Sequence, residues 1–296
     1  MTLIVGMANA DIGFLVGDTL LTPLLEIKGN RAGIVNGEFH GLKIQILNDQ
    51  VAIAFSSSNA ADIALSIIAD VRRTLQSNSQ TDVCAKVLEN YQQSLNSSGS
   101  EKPDCDFLVL QLDANGNRLA HITADGVRNC ERAHIGDATQ YRKMTELRKP
   151  YEPPSERYVQ QPDGSFRIEK MNDSKGQIEF IEISNALEEL VQQRNKQVGA
   201  IAGNIIRVCD AWPSGKLEYL QVGEATVGPE EGQSGFSLLS SSSGTRGIGI
   251  YYKSGKLGFL MMVGDPKTCR KETSETIQSF IELALQRYGM NLVGPT

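Results

Sequence analysis

The second residue of the chain carries a hydroxyl group that could act as a nucleophile. Thr2 follows Met1, and methionine aminopeptidase removes an initial methionine when the next residue is small. Removal would expose an α-amine with a pKa of about 8, so a fraction of this amine is unprotonated at neutral pH. That amine can take the proton from the hydroxyl of the same residue, so one threonine would supply both base and nucleophile. Threonine at position 2 is common, so Thr2 alone does not indicate an enzyme.

The histidines and cysteines do not form a recognisable chemical motif. The three histidines lie far apart, and the five cysteines include no C-x-x-C pair; they are His40, His121, His134, Cys84, Cys105, Cys130, Cys209 and Cys269. Zinc sites and disulfide frameworks use closer or paired spacings. We therefore expect reduced cysteines, no metal and no organic cofactor, as in a cytoplasmic protein.

Two segments near the C-terminus are rich in serine and glycine. Ser240 to Ser243 is expected to lie in a loop or at a strand end rather than to supply a nucleophile. The sequence Gly244-Thr-Arg-Gly-Ile-Gly249 is superficially similar to a phosphate-binding loop. A predicted strand follows it where a phosphate loop needs a helix, so the pattern does not indicate a phosphate site.

Composition narrows the possible partners. Of the 296 residues, 40% are hydrophobic and 22% are charged, as in soluble globular proteins. The net charge of −6 gives the chain as a whole no attraction to nucleic acid or anionic lipid. No apolar run approaches the roughly 20 residues of a membrane helix, and the first residues lack a signal-peptide pattern. We expect a cytoplasmic protein with no nucleic-acid or membrane partner.

The predicted elements favour a mixed α+β domain. Paired apolar runs separated by turn signals predict hairpins at 3–16, 42–55, 107–123 and 247–263. Apolar residues at helical spacing predict helices at 59–75, 82–95, 178–196 and 271–288, and residues 127–135 are predicted as one strand. Strands resume after the first two helices, which favours a layered sandwich over a parallel repeat. We predict one domain over residues 1–296, with loop insertions at 22–41 and 150–176.

The order of these segments resembles the proteasome β subunits and bacterial HslV, a family of N-terminal-nucleophile hydrolases. The resemblance rests on Thr2-Leu-Ile-Val-Gly6, on Gly17-Asp18 after the second strand, and on Lys43 at the start of a later strand. It continues to His134-Ile-Gly-Asp-Ala138, covers residues 2–148, and extends more loosely to the final hairpin and helix. It implies a four-layer αββα sandwich of two antiparallel sheets.

The resemblance also implies a catalytic set of Thr2, Asp18 and Lys43. Asp18 follows Thr2 by 16 residues, as in the family, whereas Lys43 comes later than in the family. A buried lysine ammonium would lower the pKa values of the threonine amine and hydroxyl, and Asp18 would hold it in place. From the residues alone, Asp18 could equally be a turn residue and Lys43 a solvated lysine on an edge strand. Lys28 is an alternative lysine.

The sequence departs from the family at three places around this set. Backbone N–H groups near Ser57 and Ser58 could form an oxyanion hole, although the family has glycines there. Asp137 stands where the family has a serine, and its carboxylate could hydrogen-bond the Thr2 amine or could equally stabilise the protonated amine and weaken it as a base. Asp210 and Ser214 are candidates for a late aspartate and serine pair of the family.

Together these features predict a threonine peptidase that cleaves amide bonds through an ester on Thr2, without a cofactor. The resemblance implies a peptide or protein substrate and a homo-oligomer, which in the family is a ring; it does not identify an unfoldase partner. Two alternatives remain open, because a fold does not fix a function. The chain could be an inactive structural or regulatory subunit, or an amidase that acts on a small molecule.

Overall fold

A computed structural model describes most of the chain. The described residues are 2–19, 41–58, 60–99, 102–113, 116–153, 156–160, 166–170, 173–194, 205–211, 215–220, 223–226, 235–253, 255–265 and 269–294. The predicted insertion at 22–41 lies almost entirely outside them.

The described residues form eighteen strands and five helices. The strands are β1 (Leu3–Ala8), β2 (Gly13–Asp18), β3 (Ile44–Asn48), β4 (Val51–Ser57), β5 (Cys105–Asp113), β6 (Gly116–Thr123), β7 (Gly126–Cys130), β8 (Arg132–Gly136), β9 (Glu156–Gln160), β10 (Phe166–Lys170), β11 (Ile205–Ala211), β12 (Lys216–Tyr219), β13 (Gly223–Thr226), β14 (Gly235–Gly244), β15 (Gly247–Tyr252), β16 (Leu257–Met262), β17 (Arg270–Thr273) and β18 (Met290–Val293). The helices are α1 (Ala61–Ser77), α2 (Val83–Ser97), α3 (Ala138–Leu147), α4 (Lys175–Arg194) and α5 (Ile277–Tyr288).

Three antiparallel sheets contain all the described strands except β9 and β10, which form a separate hairpin. The first sheet has the order β12-β11-β2-β1-β8, and the second has the order β3-β4-β5-β6-β7. The third has the order β13-β14-β15-β16-β17, and β18 also pairs with β14. The predicted α+β class is confirmed. The prediction of two sheets is incomplete, since the C-terminal strands form a third.

Successive side chains of a strand point to opposite faces of its sheet, and strands β1, β2 and β4 are buried on both faces. In β1, Leu3, Val5 and Met7 pack with residues of α3 and α4, whereas Ile4 faces a second cluster. That second cluster also contains residues of β3, β4 and β5 from the second sheet and of β15 and β16 from the third. The opposite face of the second sheet packs against α1 and α2, and α5 packs against the third sheet.

Two predicted elements are divided differently in the structure. The predicted strand 127–135 is interrupted at Glu131, so that β7 joins the second sheet while β8 joins the first. The predicted helix 271–288 begins only at Ile277, because Thr276 and Ser279 form a reciprocal capping box there. The residues before this cap form strand β17. The predicted insertion at 150–176 contains the β9–β10 hairpin.

None of the described helices contains an apolar stretch of the length and hydropathy that crossing a bilayer requires.

Candidate active site

A buried ion pair joins the first sheet to the start of the second. Lys43 Nζ donates to Asp18 Oδ2 at 2.9 Å, and both side chains are 0% exposed. Asp18 is the last residue of β2, and Lys43 immediately precedes β3. The structure thus brings together the two charged residues that the resemblance selects, 25 positions apart in sequence.

The other oxygen of this carboxylate holds the chain beside Thr2. Leu3 N donates to Asp18 Oδ1 at 3.1 Å, and this nitrogen belongs to the peptide bond that links Thr2 to Leu3. Thr2 itself is only 7% exposed. One carboxylate therefore contacts both the lysine ammonium and the backbone next to the candidate nucleophile.

Burial changes the protonation chemistry of the pair. Desolvation raises the pKa of Asp18, and the charge and hydrogen bond of Lys43 oppose that rise. Desolvation likewise lowers the pKa of Lys43, opposed by the charge and hydrogen bond of Asp18. Each group thus depends on the other to remain charged, because an isolated charge in a dry interior is unstable.

The opposite side of Thr2 is fixed by the end of β8. Asp137 N donates to Thr2 O at 2.7 Å, and Gly136 pairs with Leu3 in the β1–β8 ladder. Gly136 has φ of +97°, and a Cβ atom at this position would overlap the Thr2 carbonyl group. Only glycine combines this backbone conformation with so close an approach.

Asp137 uses its side chain to begin a helix. Its Oδ1 accepts hydrogen bonds from Thr139 N at 2.8 Å and from Gln140 N at 3.1 Å, so Asp137 is the N-cap of α3. Asp137 therefore contacts Thr2 through its backbone N–H, whereas its Oδ1 is engaged in the helix cap.

The serines expected near an oxyanion hole have partners within the protein. Ser58 donates from its backbone N to Asp104 O at 3.4 Å and from its hydroxyl to Asp104 Oδ2 at 2.8 Å. Ser57 Oγ accepts from Ala60 N at 2.8 Å, one residue before α1 begins. In this conformation the Ser58 N–H is directed at Asp104, so it is not free to stabilise an oxyanion.

The structure does not bring Asp210 beside Asp18. Ile205 pairs with Asp18 in the β11–β2 ladder, so Asp210 lies five residues further along β11. At about 3.3 Å per residue this is about 16 Å from the level of Asp18. Asp210 instead accepts from Asn117 Nδ2 at 3.2 Å. Ser214 and the alternative lysine Lys28 lie outside the described residues.

The two histidines that the structure describes have different neighbours. His121 Nε2 lies 3.7 Å from Asp106 Oδ1, on the second sheet. His134 stacks on Tyr141, with ring centroids 3.8 Å apart. His40 is not among the described residues. Within the described part of the chain, no group of three or more His, Cys, Asp or Glu side chains could hold a metal ion.

Sequence reasoning missed one residue that shapes the surroundings of Thr2. Gly136 was visible within the His-Ile-Gly-Asp-Ala motif, but its contact with Thr2 depends on the pairing of β1 with β8. The two strands are separated by more than 120 residues, so no local pattern could indicate their pairing.

Comparison with models of known protein families finds none that matches the sequence. A comparison with curated protein sequences gives no significant match either.

Proposed function

We propose that this chain is an N-terminal threonine hydrolase with the αββα fold of the proteasome β-subunit and HslV family. The observation that carries the proposal is the buried Lys43–Asp18 pair, whose carboxylate also accepts from the peptide nitrogen after Thr2. A solvated edge lysine or a turn aspartate has no reason to be fully buried. A buried ion pair is seldom a source of stability, whereas perturbed charged groups are frequent at catalytic sites.

The packing supports the proposed fold. The clusters alternate in the order α3 and α4, first sheet, second sheet, α1 and α2. This is the layer order of the αββα arrangement, to which this chain adds the third sheet and α5. The proposed function includes a homo-oligomeric assembly, as the resemblance implies.

The proposed reaction uses the terminal residue that removal of Met1 would expose. The neutral α-amine takes the proton from Thr2 Oγ, and the oxygen attacks the substrate carbonyl carbon. The carbon–nitrogen bond of the amide then breaks, and the leaving amine takes the proton, which leaves an ester on Thr2. Water hydrolyses the ester and restores the hydroxyl. The Lys43 ammonium, held by Asp18, favours the neutral amine because a nearby positive charge lowers its pKa.

The test is covalent labelling of the purified protein with a peptide epoxyketone, read by intact mass and by peptide mapping. We expect loss of Met1 and one adduct on the Thr2 residue in the wild-type protein. Thr2→Ser, which keeps a hydroxyl, should retain labelling and hydrolysis of fluorogenic peptides. Thr2→Ala should lose both labelling and hydrolysis. Its thermal midpoint should stay within a few degrees of wild type, because among the described residues Thr2 Oγ has no hydrogen bond that would stabilise the fold. Equal peptide turnover in Thr2→Ala would contradict the proposal.

A second candidate is an inactive subunit with the same fold. Its specific support is Ser58, whose backbone N–H donates to Asp104 O and therefore is not offered to a substrate. Loss of oxyanion donors typically slows catalysis by about 100- to 1,000-fold per donor. A folded wild-type protein that retains Met1 and forms no adduct would favour this candidate.

A further inference from the structure

Lys43 lies at the start of a strand that has a sheet partner on one side. β3 is the edge strand of the second sheet and pairs with β4. Phe55 N donates to Lys43 O at 3.1 Å, which holds the backbone of Lys43 to this partner. No described strand pairs with its second side, where Ile46 N donates to the Tyr219 hydroxyl at 3.1 Å and that hydroxyl donates to Ile44 O at 2.9 Å. The position of an edge strand therefore depends on such side-chain contacts.

A buried glutamine ties this strand to the third sheet. Gln45 is 2% exposed, and its amide uses both ends. Gln45 Nε2 donates to Leu42 O at 3.3 Å, and Gln45 Oε1 accepts from Gly264 N at 3.1 Å. The side chain thus bridges the residue before Lys43 to a turn more than 200 positions away in sequence.

The turn that Gln45 contacts is itself anchored. Val263 O accepts from Arg72 Nη1 of helix α1 at 2.8 Å, and Val263 N donates to Arg246 O at 2.9 Å. The side chain of Val263 belongs to the same apolar cluster as Leu42 and Ile44, on either side of Lys43. The third sheet therefore contacts the segment around Lys43 through both hydrogen bonds and apolar packing.

We propose that Gln45 is a positioning residue for Lys43, and that the third sheet, acting through Gly264, fixes the lysine against Asp18. Removing the Gln45 amide leaves the buried Leu42 O and the half-buried Gly264 N without these partners, and unpaired groups shielded from water favour rearrangement of the segment. We call the hydrogen bonds of Gln45 to Leu42 and Gly264 the Gln45 clamp. These contacts by themselves support the positioning of Lys43, whereas its effect on catalysis rests on the proposed function of Thr2.

The first test measures how well Lys43 is buried. Wild-type protein and Gln45→Met are treated with acetic anhydride, and the acetylation rate of each lysine is measured by peptide mass spectrometry. Methionine keeps the volume of the side chain and removes both hydrogen bonds. We expect Lys43 to be acetylated at least tenfold faster in Gln45→Met, with the exposed Lys271 unchanged.

A matched control separates this effect from general destabilisation of the third sheet. Tyr251→Phe removes one half-buried hydrogen bond, from Tyr251 OH to Ser274 O at 2.8 Å, on the α5 side of the third sheet. We expect wild-type protection of Lys43 in this variant. If Gln45→Met does not fold, Arg72→Met, which removes the bond to Val263 O, serves instead, and faster acetylation of Lys43 is again expected.

The second readout concerns the chemistry at Thr2. In Gln45→Met the ammonium lies less firmly near the Thr2 amine, so the pKa of that amine should rise. The pH at which epoxyketone labelling reaches half its maximal rate should therefore move upward by about one pH unit or less. If wild-type protein forms no adduct, the proposed function fails while acetylation still tests the clamp. Unchanged Lys43 protection in folded Gln45→Met would overturn the inference.

Discussion

The single carboxylate of Asp18 determines what the site can do. Its two oxygens accept from Lys43 Nζ and from Leu3 N, so it joins charge and backbone at one point. Both side chains of the pair are 0% exposed, so forming the pair costs free energy, and removing only one of the two side chains costs much more. The pair is therefore expected to be a weak net contributor to stability and a strong constraint on mutation.

A double-mutant cycle tests this view of Asp18 and Lys43. Asp18→Leu and Lys43→Met should each lower the free energy of unfolding by about 3–5 kcal/mol, because each leaves an uncompensated buried charge. The double variant should lose much less than the sum of the two. Denaturation in urea measures all four free energies.

The exposed pair Lys86–Glu89 supplies the matched control. Lys86→Met and Glu89→Leu should change the free energy of unfolding by about 0.5 kcal/mol or less, singly or together. Strictly additive losses at Asp18 and Lys43 would contradict the proposed dependence of one charge on the other.

For single residues, the sequence predicts which side chains could take part in chemistry better than it predicts which residues they contact. Asp18 and Lys43 could be selected by resemblance, and Asp137 could have been predicted as an N-cap because aspartate often precedes a helix. The contact of Ser58 with Asp104 could not be predicted, since it joins residues 46 positions apart across neighbouring strands. The Gln45 clamp could not be predicted for the same reason, because Gly264 lies far from Gln45 in sequence.

The approach of two strands determines the geometry around Thr2. Leu3 of β1 pairs with Gly136 at the end of β8, and α3 begins after Asp137. The close approach at Gly136 allows the strand end and the helix start to hold Thr2 from one side. A side chain at Gly136 would separate the two strands at this point.

Alanine substitution at two glycines distinguishes close approach from backbone strain. Gly136 and Gly116 have φ of +97° and +118°, and a Cβ at Gly116 would meet no atom within 4 Å. Gly116→Ala should therefore lose only the strain energy, about 1–3 kcal/mol. Gly136→Ala should lose at least about 1 kcal/mol more, because its Cβ also overlaps the Thr2 carbonyl.

Chemical denaturation measures the stability of both variants, and epoxyketone labelling measures the state of Thr2. We expect labelling to be lost in Gly136→Ala and kept in Gly116→Ala. Equal stabilities of the two variants would show that contact with Thr2 does not constrain Gly136.

Element prediction succeeded where local signals were complete. The hairpin of β5 and β6 and the helices α1 and α2 lie within a few residues of their predicted bounds. The interruption at Glu131 was missed because apolar patterning does not specify which sheet a strand joins. The late start of α5 was missed because its capping box uses serine rather than glutamate at the fourth position.

The third sheet brings apolar side chains from the C-terminal part of the chain into the shared core. Ile248 and Met261 of this sheet share one cluster with Ile44 and Ile46 of β3 and with residues of the first sheet. The resemblance is loose beyond residue 148, and there the sequence predicts the β15–β16 hairpin but not most of the other strands or the sheets that the hairpin contacts. The contribution of the third sheet to the shared core could thus be learned only from the structure.

Truncation tests whether residues 1–296 form one cooperative unit, as predicted. A chain that ends at Leu220 lacks the third sheet, whose residues share one apolar cluster with Ile44 and Ile46 of β3, so truncation would uncover part of that cluster. We expect it to aggregate or to lose its near-ultraviolet circular dichroism and bind the dye ANS, as loosely packed states do.

The matched control replaces the β9–β10 hairpin by a short Gly-Ser linker. These two strands pair with each other and with no other strand among the described residues. This deletion should leave near-ultraviolet dichroism and cooperative unfolding intact. Cooperative unfolding of the chain that ends at Leu220 would show instead that the first two sheets form an independent domain.

Glu131 alone separates a strand of the second sheet from a strand of the first, and its carbonyl accepts from Ala8 N at 2.9 Å. Because only one residue connects the two strands, neither sheet can open at this corner without displacing the other. Backbone amides of β7 and β8 should therefore exchange with deuterium at matching rates, as parts of one opening unit, although the two strands belong to different sheets.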